Sequence, residues 1–204
     1  MRRIVVSMNI TLDGFMAATD GGLDWHLNNW TTDMADLLAQ QLNDADTILL
    51  GKNTYSAMAA YWPAVSTGLL LSRADLAYAT MINSCEKVVC STTLKKTRWD
   101  NSRVISANMR REILKLKQQP GKDIIVYGSR TLVQYLSMFN LIDEYLLWLY
   151  PVTIGRGMLL FDHPQKLELI DSKILSSGVV VLRYSGCFAR DSKYCVSALA
   201  NRAY

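Results

Sequence analysis

The chain has 204 residues, 50% of them hydrophobic and 20% charged, which is enough to bury one sizeable core and is the balance of a single globular domain. Its formal charge of +4 is dispersed, and the one compact basic doublet, Lys95-Lys96, is too small for a nucleic-acid groove, so small anionic ligands suit the chain better. No apolar run approaches the roughly 20 residues of a membrane helix, and a metal site has no support: Cys85, Cys90, Cys187 and Cys195 contain no C-x-x-C, and His26 and His163 lie far apart.

Met1-Arg2-Arg3 leads into an apolar run that Asn9 and Asp13 soon break, which reads as neither signal peptide nor anchor; reduced thiols in a cytoplasm are expected. Arg3–Leu12 alternates large or β-branched residues with small polar ones and closes at Asp13-Gly14, so a first strand ends there. Phe15–Trp30 reads as a long irregular loop carrying Asp20-Gly21-Gly22, Trp25 and Trp30, the kind of segment that serves as a lid. Thr31 or Thr32 is expected to cap a helix whose inward face is Met34, Leu37, Leu38 and Leu42. Asp33 and Asp36 fall in its first turn, where they complement the helix dipole, and they are also carboxylates placed for acid chemistry.

The next stretch carries the strongest local signal. An apolar strand, Thr47–Leu50, runs into Gly51-Lys52-Asn53-Thr54-Tyr55 and a helical run expected to end at Trp62-Pro63. A helix N-terminus offers unpaired N–H groups and a positive dipole end, glycine admits close approach, and Lys52 and Thr54 add a charge and a hydroxyl. Phosphate is the natural guest, although a P-loop is excluded because Asp46 to Leu50 supply no earlier glycine. The alternative is an ordinary strand–helix turn.

Ser72 is expected to cap a helix over Arg73–Met81. Glu86–Cys90 is a strand ending in Ser91-Thr92-Thr93, with Lys95 and Lys96 beyond, either a second phosphate contact or a polar turn. Arg103–Ser106 is a short strand, and Asn108 caps a helix through Ile113, Leu114 and Leu116 that stops at Pro120-Gly121. Ile124–Tyr127 is then a buried strand meeting Gly128-Ser129, with Ser129 as the expected cap of a helix buried through Leu132, Val133 and Leu136. This repeats the arrangement at Gly51, and two such turns favour nucleotide binding over a purely structural role. Glu144–Val152 is apolar and aromatic, Gly155-Arg156-Gly157 interrupts it, and Lys166–Leu175 and Val179–Tyr184 flank Ser176-Ser177-Gly178 as a hairpin. The order implies a mixed sheet, parallel early and antiparallel at its last edge, with helices on both faces. One domain over 1–186 and a C-terminal tail over 187–204 are expected.

In their order, Leu12-Asp13-Gly14, Leu50-Gly51-Lys52-Asn53-Thr54-Tyr55, Tyr61-Trp62-Pro63, Val89-Cys90-Ser91, Tyr127-Gly128-Ser129, and Pro151 followed by Gly155-Arg156-Gly157 and Leu160-Phe161 resemble the dihydrofolate reductase-like superfamily. Within it, the chain is similar to the C-terminal reductase domain of the bifunctional riboflavin-biosynthesis deaminase–reductase, over about residues 2–186. The resemblance implies a three-layer α/β/α dihydrofolate reductase-like fold, NADPH as cofactor, a small-molecule substrate and a homodimer. It assigns Gly51, Lys52 and Thr54 to the phosphates, Ser91 and Thr92 to the phosphate that distinguishes NADP, and Gly128, Ser129 and Thr131 to the pyrophosphate. Gly14 would approach the nicotinamide, with the Trp25 loop closing over it.

The chain departs from dihydrofolate reductases after Trp25-His26-Leu27, where Asn28, Asn29 and Trp30 stand in place of the acid that protonates a pterin. Asp33 is then the first candidate acid and Asp13 the second. Ser129 replaces the second glycine of a Gly-Gly pair, and Gly155-Arg156-Gly157 favours the riboflavin branch, with Arg156 placed for an anionic substrate. The expected reaction is hydride transfer to the sugar carbon of a ribosylamino-pyrimidine or to a C=N bond of a pterin-like ring. The rival is a nucleotide-binding protein without a working substrate pocket; a Ser–His–Asp hydrolase is a weaker reading still, since neither histidine follows a nucleophile elbow and no G-x-S-x-G is present.

Overall fold

The computed structural model describes residues 1–65 and 73–186 of the chain. Its strands are β1 (Ile4–Thr11), β2 (Phe15–Ala17), β3 (Ala45–Gly51), β4 (Glu86–Cys90), β5 (Ser102–Ile105), β6 (Asp123–Tyr127), β7 (Glu144–Tyr150), β8 (Met158–Leu159), β9 (Leu167–Ile174) and β10 (Val180–Gly186). The α-helices are α1 (Thr32–Asp44), α2 (Lys52–Val65), α3 (Arg73–Ser84), α4 (Met109–Gln118) and α5 (Arg130–Met138). Eight strands form one sheet in the order β5-β4-β3-β6-β1-β7-β10-β9. Pairing is parallel from β5 to β7 and antiparallel where β10 joins β7 and β9, the mixed sheet read from the element order.

Parallel strands covered on both faces read as near-continuous apolar runs, and Ile48-Leu49-Leu50 and Ile124-Ile125-Val126 are almost wholly buried. Successive residues of each run serve opposite layers. Leu49, Ile124 and Val126 pack with Ile4, Val6 and Met8 against Ile113 and Leu116 of α4 and Leu132, Val133 and Leu136 of α5. On the other face Ile48, Leu50, Val89 and Ile125 meet Leu42 of α1, Tyr55 of α2, and Tyr78 and Ile82 of α3. The result is three layers, α/β/α.

Several local expectations are corrected. The Phe15–Trp30 segment is not irregular throughout: β2 pairs antiparallel with β8 as a small separate ribbon, and Asp24–Asn29 forms a 3-10 helix. Helix α2 does not end at Trp62-Pro63 but runs through Pro63 to Val65. The expected caps also behave differently. Thr31, Asn108 and Ser129 occupy the N-cap positions of α1, α4 and α5, yet none of their side chains makes a capping bond, and Asn108 and Ser129 are in left-handed backbone (φ 50° and 63°). The Ser72 cap and the tail 187–204 lie outside the described residues. Among the described residues no helix is long and apolar enough to cross a membrane.

Candidate functional site

The carboxyl ends of the parallel strands all lie at one edge of the sheet. Strands β3 and β6 are neighbours there, with Leu49 opposite Val126, but the chain leaves β3 into α2 on one face and leaves β6 into α5 on the other. Helices departing to opposite faces open a crevice between adjacent strand ends, the usual place for a ligand in an open α/β sheet. Both glycine turns stand at this crevice, 77 residues of chain apart and side by side in space.

Ser129 joins them. Its Oγ accepts the Gly51 N–H at 2.8 Å and donates to Thr54 Oγ1 at 2.9 Å, so the hydroxyl expected to cap α5 instead ties β6 to the start of α2. The packing explains both glycines: a Cβ on Gly51 would lie 3.2 Å from Ser129 Oγ, and one on Gly128, whose φ is +54°, would lie 3.0 Å from Thr54 Cγ2. Lys52 reaches across the end of β4 and donates to Thr93 Oγ1 at 3.1 Å. Ser91, nearly buried, accepts the N–H groups of Thr93 and Leu94 at 3.2 and 3.0 Å, so its hydroxyl holds the turn that presents the exposed Thr92. Thr131 is exposed on the first turn of α5.

The two candidate acids are engaged elsewhere. Asp33 accepts from Thr31 Oγ1, the Met34 N–H, and both the N–H and Oγ of Ser176 at 2.7 and 3.0 Å, which staples α1 to the β9–β10 turn. The Thr31 hydroxyl, foremost among these donors, pulls its carboxyl down to about 2. Asp13 accepts from Thr11 Oγ1 and from the N–H groups of Ile154 and Gly155 at 3.1 and 2.8 Å, and the Thr11 bond leads in lowering its pKa. Both carboxylates are ionised at neutral pH in this setting and act as acceptors. Gly14, at φ +84°, completes the turn after β1 through its N–H to Thr11 O.

Trp25 packs edge-on against Tyr150 at the end of β7, with ring centroids 5.3 Å apart, and so lies on the α1 side of the same sheet edge. Arg156 is exposed in the loop that Asp13 anchors. The structure therefore gathers Gly51, Lys52, Thr54, Gly128 and Ser129 at one crevice, with Thr92 and Thr131 at its margins; Asp13 and Arg156 lie in loops beside it, Trp25 in the 3-10 helix and Asp33 in the first turn of α1.

This arrangement has known relatives. A family model described as the RibD C-terminal domain matches residues 2–182. The chain belongs to that family. The uncharacterized protein YyaP of Bacillus subtilis (strain 168) is 33% identical over 187 residues, spanning 90% of this chain and 94% of that protein. Two solved structures are similar in fold. One is a diaminohydroxyphosphoribosylaminopyrimidine deaminase/5-amino-6-(5-phosphoribosylamino)uracil reductase from Thermotoga maritima, with TM-score 0.62 and 14% identity over 91% of this chain and 57% of that one. The other is dihydrofolate reductase from Enterococcus faecalis complexed with NADP(H), with TM-score 0.57 and 13% identity over 90% and 95%. The dihydrofolate reductase-like fold and the family expected from the motifs are thus confirmed.

In this RibD C-terminal domain, sequence reasoning overlooked one set of polar residues. Ser7 of β1, Gln41 of α1 and Tyr127 of β6 are hydrogen-bonded beneath α1, and Trp148 of β7 donates to Ser7. A signal existed: Gln41 is seven residues after Met34 and therefore falls on the inward face of α1, where a polar residue calls for a partner.

Proposed function

We propose that this RibD C-terminal domain is an NADPH-dependent reductase that adds a hydride and a proton across a C=O or C=N bond of a small heterocycle of the ribosylamino-pyrimidine class. The observation that carries the reading is the Ser129 bridge, which draws two glycine turns and two helix N-termini into one crevice at the β3/β6 boundary. Such a cradle, with Lys52 at its rim, matches the diphosphate of a dinucleotide. Lys52, Thr92 and Thr93 are the groups placed to meet the extra phosphate of NADPH, while Gly51, Thr54, Gly128, Ser129 and Thr131 shape the diphosphate cradle. When bound, NADPH supplies the hydride.

The chain's own contribution is positioning and exclusion of water. Asp33 and Asp13 enter as positioning residues that hold the α1 start and the Arg156 loop around the substrate side, and the proton that accompanies the hydride comes from solvent. Arg156 offers a cation to an anionic substrate, and Trp25 covers the nicotinamide side. The same reading makes the protein a cytoplasmic homodimer; sedimentation of the full chain as one species of twice its mass is the check on assembly.

The test is a fluorescence titration of the five tryptophans with NADPH and NADH. NADPH should bind more tightly than NADH, and Lys52→Ala should weaken NADPH by about tenfold, the scale of one charge-assisted contact. Failure of NADPH to bind overturns the reading. Binding with no NADPH oxidation across pyrimidine and pterin substrates would leave a nucleotide-binding protein without a reaction.

A further inference from the structure

Beneath α1 a line of hydrogen bonds crosses the sheet and ends in a donor with nothing to bind. The buried indole N–H of Trp148 can only donate, and it does so to Ser7 Oγ at 2.9 Å. Ser7 passes its own proton to Gln41 Oε1 at 3.2 Å, and Tyr127 Oη donates to the same oxygen at 3.4 Å. Both hydroxyls thus meet the same oxygen of the amide. Its other end, Gln41 Nε2, is buried without a hydrogen-bond partner among the described residues.

An unsatisfied buried amide donor is costly to leave in a fold. Packing alone does not account for it here, because Leu38 and Leu42 beside it in α1 are apolar and a methionine would fill the same volume. Location supplies the reason. Ser7 and Tyr127 are register partners on the neighbouring strands β1 and β6, and Tyr127 directly precedes Gly128 and Ser129. The amide therefore stands on the α1 side of the sheet beside the crevice already described, in a residue of intermediate burial.

We propose that Gln41 Nε2 is a substrate-recognition donor, which binds a neutral hydrogen-bond acceptor such as the ring carbonyl of a pyrimidinedione. Its surroundings fit that class. Ser7, Tyr127 and Trp148 are neutral, burial holds the Tyr127 hydroxyl well above its ordinary range, and the carboxylates of Asp13 and Asp33 are occupied by their own donors. A protonated pterin, which presents donors and a positive charge, finds no anionic acceptor in this set. The inference rests on the reductase reading and deepens it by naming the substrate group that is recognised.

The experiment uses the full chain saturated with NADP+, titrated calorimetrically with 5,6-diaminouracil as probe, in wild type, Gln41→Met and Gln41→Glu. Methionine removes the donor; glutamate keeps an acceptor for Ser7 and Tyr127 and turns the donor end into an acceptor. Both variants should lose about tenfold or more in probe affinity, while NADPH affinity stays at the wild-type value. Equal probe affinity in all three proteins, or a wild type that binds NADPH but not the probe, overturns the proposal and leaves the nucleotide reading intact. A wild type that binds no nucleotide defeats the nucleotide reading, and the probe titrations on nucleotide-free protein then decide this proposal by the same ratio.

Discussion

Ser129 and Asp33 are both residues whose type suggested one task and whose surroundings impose another. Ser129 holds left-handed backbone, which disfavours any side chain by about 1–2 kcal/mol, and retains it because the hydroxyl serves Gly51 and Thr54. Replacing it separates backbone from side chain: Ser129→Gly should melt higher than Ser129→Ala, since glycine relieves the φ of 63°, yet both should bind NADPH more weakly than wild type. Equal nucleotide affinity in the three proteins would mean the bridge does not shape the crevice. Asp33 makes a prediction with a definite sign. Its folded pKa, about 2, lies below the ordinary 3.8, so its stabilisation is present above 3.8 and is lost as pH falls through 2. Asp33→Asn should therefore melt below wild type at neutral pH, with the gap closing across that acidic window. Thermal unfolding at stepped pH reads this directly, and a gap that persists at the acid end would contradict it.

Among the elements, the strands were the most legible. Runs such as Ile48-Leu49-Leu50 announce burial on both faces, and their ends in the structure shift from the expected ones by a residue or two. The β2–β8 ribbon was not legible, because three residues paired with two leave no periodic pattern; it exists through a long-range fit. Gly157 shows how tight that fit is, since a Cβ there would stand 2.3 Å from Ala17 O. Gly157→Ala must push the two segments apart and should cost about 1–3 kcal/mol, the range for overpacking, measured by urea unfolding. The α1 helix was read correctly as an amphipathic element, but its inward face was read as wholly apolar. Gln41 broke that pattern, and its meaning depended on Ser7 and Tyr127, which no spacing within α1 reveals.

For the molecule as a whole, Lys87 links one buried charge to global stability. It is fully buried, donates to Asn83 O at 2.6 Å and lies 4.6 Å over the Trp99 ring; burial pushes its ammonium down to about 8 from 10.5. A depressed lysine binds fewer protons folded than unfolded between those values, so its contribution to stability rises with pH from 8 to 10.5. The difference between wild type and Lys87→Met in urea should follow that rise, and a difference independent of pH would show that Lys87 titrates normally. Residue type and order were enough to establish the family, the mixed three-layer fold and the two glycine turns, because periodic burial and backbone freedom are properties of short stretches. Pairing was beyond their reach. That the turns at Gly51 and Gly128 are neighbours, that Ser129 bridges them, and that Asp33 is held by Ser176, 143 residues away, followed only once β3 lay beside β6 and the hairpin closed over α1. A hydrogen-bond partner is set by which strands come together, and that is a property of the whole chain.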